Sequence, residues 1–284
     1  MNKNDFSESR RVGIGGSDVA AVLGLHPYKS AYEVWAEKVH VEFKDLNDNA
    51  AVLYGNLLEK MLVQKFQGDN FDKVESVNRS APTVFHQDHD YLLANIDGFV
   101  FPIDKQEKPY VLEIKTASSH SMHRWGDEGT DEVPVEYLFQ VAHYMAVTNS
   151  DKAVIFVGFL NEWVKDQIAV RLIRARLDKE YTLDLTDLME RIETRTYHFH
   201  RNMELEKKVL ASCEGFWFNH VKTKIPPDKD YTNKGLQEYI NAKFKSGKVD
   251  MLNGVYEYAD ELISKREELE DMSAIIKDAE SKKE

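Results

Sequence analysis

The segment Tyr110-Val111-Leu112-Glu113-Ile114-Lys115-Thr116 most restricts the architecture open to this chain. Side chains alternate along an extended strand, so Glu113 and Lys115 fall on one face while Leu112 and Ile114 fall on the other. The apolar face, joined by Val100, predicts a strand packed on a core, with a carboxylate and an ammonium mounted on its opposite side. Upstream, a second apolar run from Tyr91 to Phe101 contains Asn95-Ile96-Asp97-Gly98. The intervening Pro102-Ile103-Asp104-Lys105-Gln106-Glu107-Lys108-Pro109 is polar and bounded by prolines. This arrangement predicts a β-hairpin. A hairpin symmetric about Lys105 sets Asp97 opposite Glu113, bringing two carboxylates and one ammonium to one sheet edge.

Such a set suits phosphodiester hydrolysis. Mg²⁺ takes a few carboxylate oxygens and leaves the rest of about six positions to water and substrate. Asp97 and Glu113 are candidate metal ligands, and the Ile114 backbone carbonyl is a candidate third protein oxygen. Lys115 can polarise the attacking water or neutralise charge that builds on the phosphate. The expectation is a metal-dependent nuclease using Mg²⁺, with Mn²⁺ able to substitute. A D…ExK pattern alone is a weak signal, because Glu-x-Lys pairs on surface strands are commonly solvated. Other segments therefore matter.

Arg10-Arg11-Val12-Gly13-Ile14-Gly15-Gly16-Ser17-Asp18, followed by an apolar stretch to Gly24, reads as a glycine turn, a Ser17 N-cap, a short helix and a glycine stop. The amides after Ser17, its hydroxyl, Arg10 and Arg11 together suit a phosphate; the alternative is an ordinary capped helix packed on the core. A second helix is predicted from about Ala51 to Phe66, with Leu53, Leu57, Leu58, Met61, Leu62 and Phe66 as its apolar stripe. Glu59 sits off that stripe, one turn beyond Gly55, a glycine that permits close packing. A third helix follows Pro134 and carries Gln140 and Tyr144 on one face. Residues 117 to 133 read as a long loop holding Trp125 and Gly129, in which His120, His123 and Arg124 are candidate DNA contacts. Ala153 to Leu160 and Trp163 to Ile173 read as a second hairpin, and 178 to 220 as helical, with Phe216 and Trp217 in the core.

These ordered motifs resemble the YqaJ family of viral-type recombinase nucleases, related to phage lambda exonuclease and the wider PD-(D/E)xK nuclease superfamily. The resemblance covers roughly residues 8 to 160. It implies an α/β, restriction-endonuclease-like core with a central mixed β-sheet flanked by helices. It also implies that Arg10 and Ser17 serve a DNA 5′-phosphate, and that Glu59, within Gly55 to Glu59, joins Asp97 and Glu113 as a metal ligand. Gln140 then acts as a catalytic residue and Tyr144 supports it, as the family's Q-x-x-x-Y helix. The implied activity is 5′-to-3′ digestion of one strand of linear double-stranded DNA, leaving 3′ tails. A homotrimeric ring, a RecT-type single-strand annealing partner and a phage or prophage origin come with the resemblance.

Composition bears on the partners. The net charge of −12 argues at first sight against nucleic acid, since phosphate binding is driven by Lys and Arg. A local basic channel lined by Arg10, Arg11, Lys29, Arg79, Lys115, His123 and Arg124 answers the objection. One cysteine, Cys213, excludes an internal disulfide, Met1 to Arg11 is too polar for a signal peptide, and no apolar run approaches a membrane span. The expected location is the cytoplasm of a bacterial host. Beyond Ile225-Pro226-Pro227-Asp228, Val255, Leu262, Leu269 and Ile276 recur at heptad spacing among Glu and Lys, predicting an amphipathic helix. The domains are therefore expected at 1–232, the nuclease, and 233–284, a charged helical C-terminal extension. Two other readings use the same residues: a structure-specific or nicking endonuclease, and a non-catalytic DNA-binding protein.

Overall fold

The computed structural model describes residues 12–39, 50–79 and 83–227. Arg10, Arg11 and the predicted C-terminal helix lie outside the described residues. A five-stranded sheet runs β2 (Val74–Asn78), β5 (Gly98–Pro102), β6 (Tyr110–Ser118), β7 (Lys152–Leu160), β8 (Glu193–His200) in spatial order. Within this sheet only the β6–β7 pair is parallel. A small second sheet is ordered β1 (Ile14–Gly15), β4 (Leu92–Ala94), β3 (Val84–Phe85). The mixed α/β core expected from the sequence is present.

The helices are α1 (Gly16–Val22), α2 (Ala31–Val39), α3 (Ala50–Asp69), α4 (Val135–Thr148), α5 (Glu162–Leu177), α6 (Thr186–Met189) and α7 (Met203–Phe216). On one face of the large sheet, Leu58, Leu62 and Phe66 of α3 pack with Val100, Leu112, Ile114, Val154 and Phe156 in a continuous core. The alternation read from β6 is thus realised: Leu112 and Ile114 turn toward α3. On the other face α4 lies against β6 and β7, and it also touches β4 and α1. Being packed from several directions, it buries nearly its whole circumference, as an apolar helix in a core must.

The hairpin register sets Gly98 opposite Leu112 and Val100 opposite Tyr110. Continued by one residue, it sets Asp97 opposite Glu113. The run from Tyr91 to Phe101 is not one strand, however. β4 belongs to the small sheet and β5 to the large one, so Asp97 occupies the crossing between sheets, directly before β5.

Three expectations fail. Trp163 to Ile173 lies within α5, because Asn161 caps it by accepting from the Val164 amide at 2.9 Å, and Val164 and Ile168, one turn apart, enter the core. The strand that pairs with β7 is β8, inside the 178–220 stretch expected to be helical; Tyr197 and Phe199 are buried while His198 and His200 are exposed, the period of two of a half-buried strand. The 117–133 loop is shorter than expected: β6 runs to Ser118, then a tight helical turn spans Ser119–Arg124 with the Ser118 hydroxyl at its start. Phe216 and Trp217 are buried, as expected. Leu53 is exposed and leaves the predicted stripe.

Candidate active site

The register of β5 and β6 places the Asp97 carboxylate under the β6 backbone, where its Oδ2 accepts a hydrogen bond from the Ile114 amide at 2.7 Å. Glu113 points to the face opposite Leu112 and Ile114, toward α4. Its Oε1 accepts from Lys115 Nζ at 2.6 Å and from Gln140 Nε2 at 2.7 Å, and the same Gln140 nitrogen lies 2.9 Å from the Tyr144 hydroxyl. The structure thus brings Asp97, Glu113, Lys115, Gln140 and Tyr144 together. Glu113 is 3% exposed and Gln140 6%, so this polar group sits inside the wall of the molecule.

Burial and the mutual repulsion of Asp97 and Glu113 hold the Asp97 carboxyl well above its usual range, Lys115 only partly offsetting them. Burial likewise pushes Glu113 up, despite its contact with Lys115. Desolvation opposes charge on Lys115, but the carboxylates of Glu113 and Asp97 outweigh it and hold the ammonium above its ordinary value. Two neighbouring carboxyl groups therefore act on one ammonium, and the cluster has fewer cations than carboxyl groups.

Glu113 Oε2 is buried with no hydrogen-bond partner, one of two such side-chain atoms among the described residues. A buried oxygen left unpaired is costly unless something completes it. Among the described residues no group of three His, Cys, Asp or Glu side chains is arranged to hold a metal by itself. The donor set still fits a small hard cation. Mg²⁺ is commonly held by one or two carboxylates, with water and substrate oxygens supplying the rest, and Asp97, Glu113 Oε2 and the Ile114 carbonyl are oxygen donors on adjoining backbone.

Glu59 stands near enough on α3 to raise both carboxyl pKa values, but its Oε1 is held by Arg79 at 2.7 Å. Gly55, one turn earlier, lies over Thr116, yet a Cβ there would meet Thr116 Oγ1 at 3.6 Å, an ordinary contact. Close packing does not require that glycine.

The opening motif is built differently from expectation. Helix α1 starts at Gly16 with Gly15 as its N-cap, and the cap interaction comes from Asp18, whose Oδ2 accepts from the Gly15 amide at 3.1 Å. Ser17 is exposed in the first turn and is not the cap. The glycines have a steric cause: a Cβ on Gly13 would sit 2.4 Å from the Tyr91 carbonyl oxygen, and one on Gly16 would sit 2.5 Å from the Tyr144 ring. The predicted glycine stop holds, since Gly24 has φ +72° and its amide donates back to Ala21.

Several cations assigned to a DNA channel are engaged. Lys29 contacts Asp18 and Glu37, Arg79 contacts Glu59, and Arg124 reaches both oxygens of Glu136 at 3.0 and 3.3 Å. His123 is exposed, with its ring nitrogen beside the His120 carbonyl. Sequence reasoning missed Asp18 and Lys38, a buried pair 2.7 Å apart. It also missed Tyr137, whose ring lies under the Lys115 ammonium. The signal for Tyr137 was present, because Tyr137, Gln140 and Tyr144 follow one helical face.

Comparison with known proteins bears on this arrangement. Residues 5–151 match the family described as the YqaJ-like viral recombinase domain. The protein YqaJ of Bacillus subtilis (strain 168) is 33% identical over 147 residues, which is 52% of this chain and 43% of that protein. Protein D345L of African swine fever virus (isolate Tick/Malawi/Lil 20-1/1983) is 47% identical over 61 residues, 22% of this chain and 17% of that one. The chain thus spans less than half the length of these relatives. The alkaline exonuclease LHK-Exo from Laribacter hongkongensis shares the fold, with a TM-score of 0.52 at 15% identity over 84% of this chain and 100% of its own. Its complex with dAMP superposes with the same score, 0.52, at 14% identity. The segment matched by the family carries every residue of the polar cluster between β6 and α4, and through it the chain belongs to the family of YqaJ-like viral recombinase domains.

Proposed function

We propose that this protein is a Mg²⁺-dependent exonuclease that digests one strand of linear duplex DNA from its 5′ end. The observation that carries this reading is the buried, unpartnered Glu113 Oε2 beside Asp97, with Lys115 fixed on the neighbouring oxygen. A cluster that buries two carboxylates against one ammonium gains from a further cation, and phosphoryl chemistry uses that cation together with a positioned lysine.

Asp97, Glu113 and the Ile114 carbonyl would hold the metal, with Glu59 joining them on release from Arg79. When bound, a divalent cation supplies a Lewis acid for a non-bridging phosphate oxygen and lowers the pKa of coordinated water. Lys115 faces the same space with a permanent positive charge and offers protons for hydrogen bonding to attacking water or to a charged phosphate oxygen. Gln140 keeps Glu113 Oε1 satisfied, so that Oε2 remains the oxygen available to the cation, and Tyr144 braces Gln140. Arg10 and Ser17 would take the terminal 5′-phosphate; Ser17 is exposed and free to meet a ligand.

The LHK-Exo fold and the dAMP complex of that enzyme support DNA as the substrate. The 5′ polarity, the ring trimer, Mn²⁺ as a substitute, a role in phage-type recombination in a bacterial cytoplasm and a RecT-type annealing partner rest on family membership. Among the described residues no helix is long and apolar enough to cross a membrane.

The test compares linear duplex labelled at either the 5′ or the 3′ end with closed circular DNA, in Mg²⁺ and in EDTA. The expected result is metal-dependent release of the 5′ label from linear DNA only. Cutting of the circle would replace the proposal with an endonuclease, and no cutting of either would leave a DNA-binding protein on this fold.

A further inference from the structure

We propose that Tyr137 is a positioning residue for Lys115, its ring fixing the ammonium in place when the carboxylates are otherwise engaged. The proposal rests on the nuclease reading of the same site. Lys115 Nζ lies 4.8 Å from the centroid of the Tyr137 ring and 2.6 Å from Glu113 Oε1. A lysine stem has four rotatable carbons, so its head needs more than one contact to hold a single position. Here the two contacts differ in kind. A bound cation competes with Lys115 for Glu113, and a substrate phosphate competes with Glu113 for Lys115, whereas the ring face attracts an ammonium through its quadrupole and coordinates no metal.

The ring itself is braced. It stacks on Trp125 with centroids 5.4 Å apart and planes 26° apart. Trp125 is buried against Phe159 of β7 and Tyr197 of β8, and the Tyr197 hydroxyl donates to the Gly126 carbonyl at 2.8 Å. A wall of aromatic rings thus ties the far strands of the sheet to the lysine. Along α4, Tyr137 precedes Gln140 by one turn, so one helical face holds Lys115 with one side chain and its partner Glu113 with the next.

The experiment measures steady-state cleavage of linear duplex by wild type, Lys115→Ala, Tyr137→Phe and Tyr137→Leu. Alongside it, acylation of Lys115 in the metal-free proteins is followed by peptide mass spectrometry with a small amine-reactive ester. Tyr137→Phe keeps the ring face and is expected to retain kcat within about threefold. Tyr137→Leu is expected to lower kcat about tenfold or more with KM within about twofold, and to speed Lys115 acylation. The thermal unfolding midpoint of each variant checks the packing. Should leucine disturb it, Tyr137→Met, longer and more adaptable than leucine but lacking a π face, carries the same expectation. Wild-type kcat and acylation in the leucine or methionine variant, beside an inactive Lys115→Ala, would overturn the proposal. Equal loss in the phenylalanine and leucine variants would overturn it too, by assigning the effect to the hydroxyl. If Lys115→Ala cuts as well as wild type, or wild type cuts nothing, the nuclease reading falls, and the acylation rates still decide whether the ring holds the lysine.

Discussion

Two regions of this molecule bury a carboxylate against lysine, and they resolve the resulting charge in opposite ways. Beneath α1, Asp18 meets Lys38 at 2.7 Å, Lys29 at 3.0 Å and the Gly15 amide at 3.1 Å. Burial works against its charge, but the two ammonium groups outweigh burial and pull its carboxyl far below the usual range. Between β6 and α4, two carboxyl groups share one lysine, both are pushed upward, and one oxygen of Glu113 is orphaned. The first cluster is complete as a structural device. The second leaves a buried carboxylate oxygen without a partner, and under the proposed function a further cation would complete it; that difference is what would separate a buried ion pair that holds the fold from one that performs chemistry.

Matched substitutions should split the two regions most sharply. Glu113→Gln removes a repelled, half-satisfied charge, so it is expected to abolish cleavage by about 10³-fold or more while leaving thermal stability unchanged or raised. Asp18→Asn removes the buried carboxylate charge that both Lys38 and Lys29 contact and is expected to cost about 3–5 kcal/mol, read as a fall in denaturant midpoint. If Glu113→Gln destabilises as much as Asp18→Asn, the contrast collapses and the β6 cluster is a structural ion pair.

How far the sequence disclosed these regions depends on the range of the interactions that build them. The β5–β6 register and the Gln140–Tyr144 face were legible because alternation and helical spacing are local geometry, and both place Glu113 where the structure has it. The ion pair of Asp18 and Lys38 was not legible, since two residues in separate helices meet only after the chain has folded. Ser17 was mistaken for a cap because Asp18, the next residue, takes the Gly15 amide instead. Trp163 to Ile173 alternates enough to suggest a strand, but its Asn161 cap and the burial of Val164 and Ile168 favour α5. The strand that replaces it, β8, carries Thr194, Thr196, Tyr197 and Phe199, and its period-two burial was hidden within a charged stretch.

His143 lies where the two regions meet. It is on α4, one turn beyond Gln140, fully buried, and its Nε2 lies 2.9 Å from the Leu93 carbonyl of β4. Burial lowers its pKa from 6.5 to about 4. In the unfolded chain the ring protonates near its ordinary value, so between pH 6.5 and about 4 the unfolded state binds the extra proton. Stability contributed by the neutral ring is complete above pH 6.5 and is lost as the pH falls through that window, to a limit of about 3 kcal/mol. Asp18 does not share the window, because an unfolded aspartate titrates near 3.8 and its folded value is lower still. His26, His86 and His198 are lowered by burial too, so denaturant melts at pH 7 and pH 5 should show a loss that His143→Leu reduces. An unchanged loss in that variant would move the proton elsewhere.

The smallest effects come from two glycines, one in α1 and one in α3 over β6, that look alike in the sequence. At Gly16 an added Cβ would lie 2.5 Å from the Tyr144 ring and 3.0 Å from the Gln140 carbonyl oxygen. The ring cannot swing aside freely, because its hydroxyl is hydrogen-bonded to Gln140, so Gly16→Ala is expected to cost about 1–3 kcal/mol by overpacking. At Gly55 the same atom would find Thr116 Oγ1 at 3.6 Å, contact without strain. There the backbone freedom of glycine weakens α3 without a compensating close approach, and Gly55→Ala is expected to raise stability by about 0.5–1 kcal/mol. A Gly55→Ala protein that melts lower than wild type would show that α3 approaches β6 more closely than these distances allow, and would return the second glycine to the class of the first.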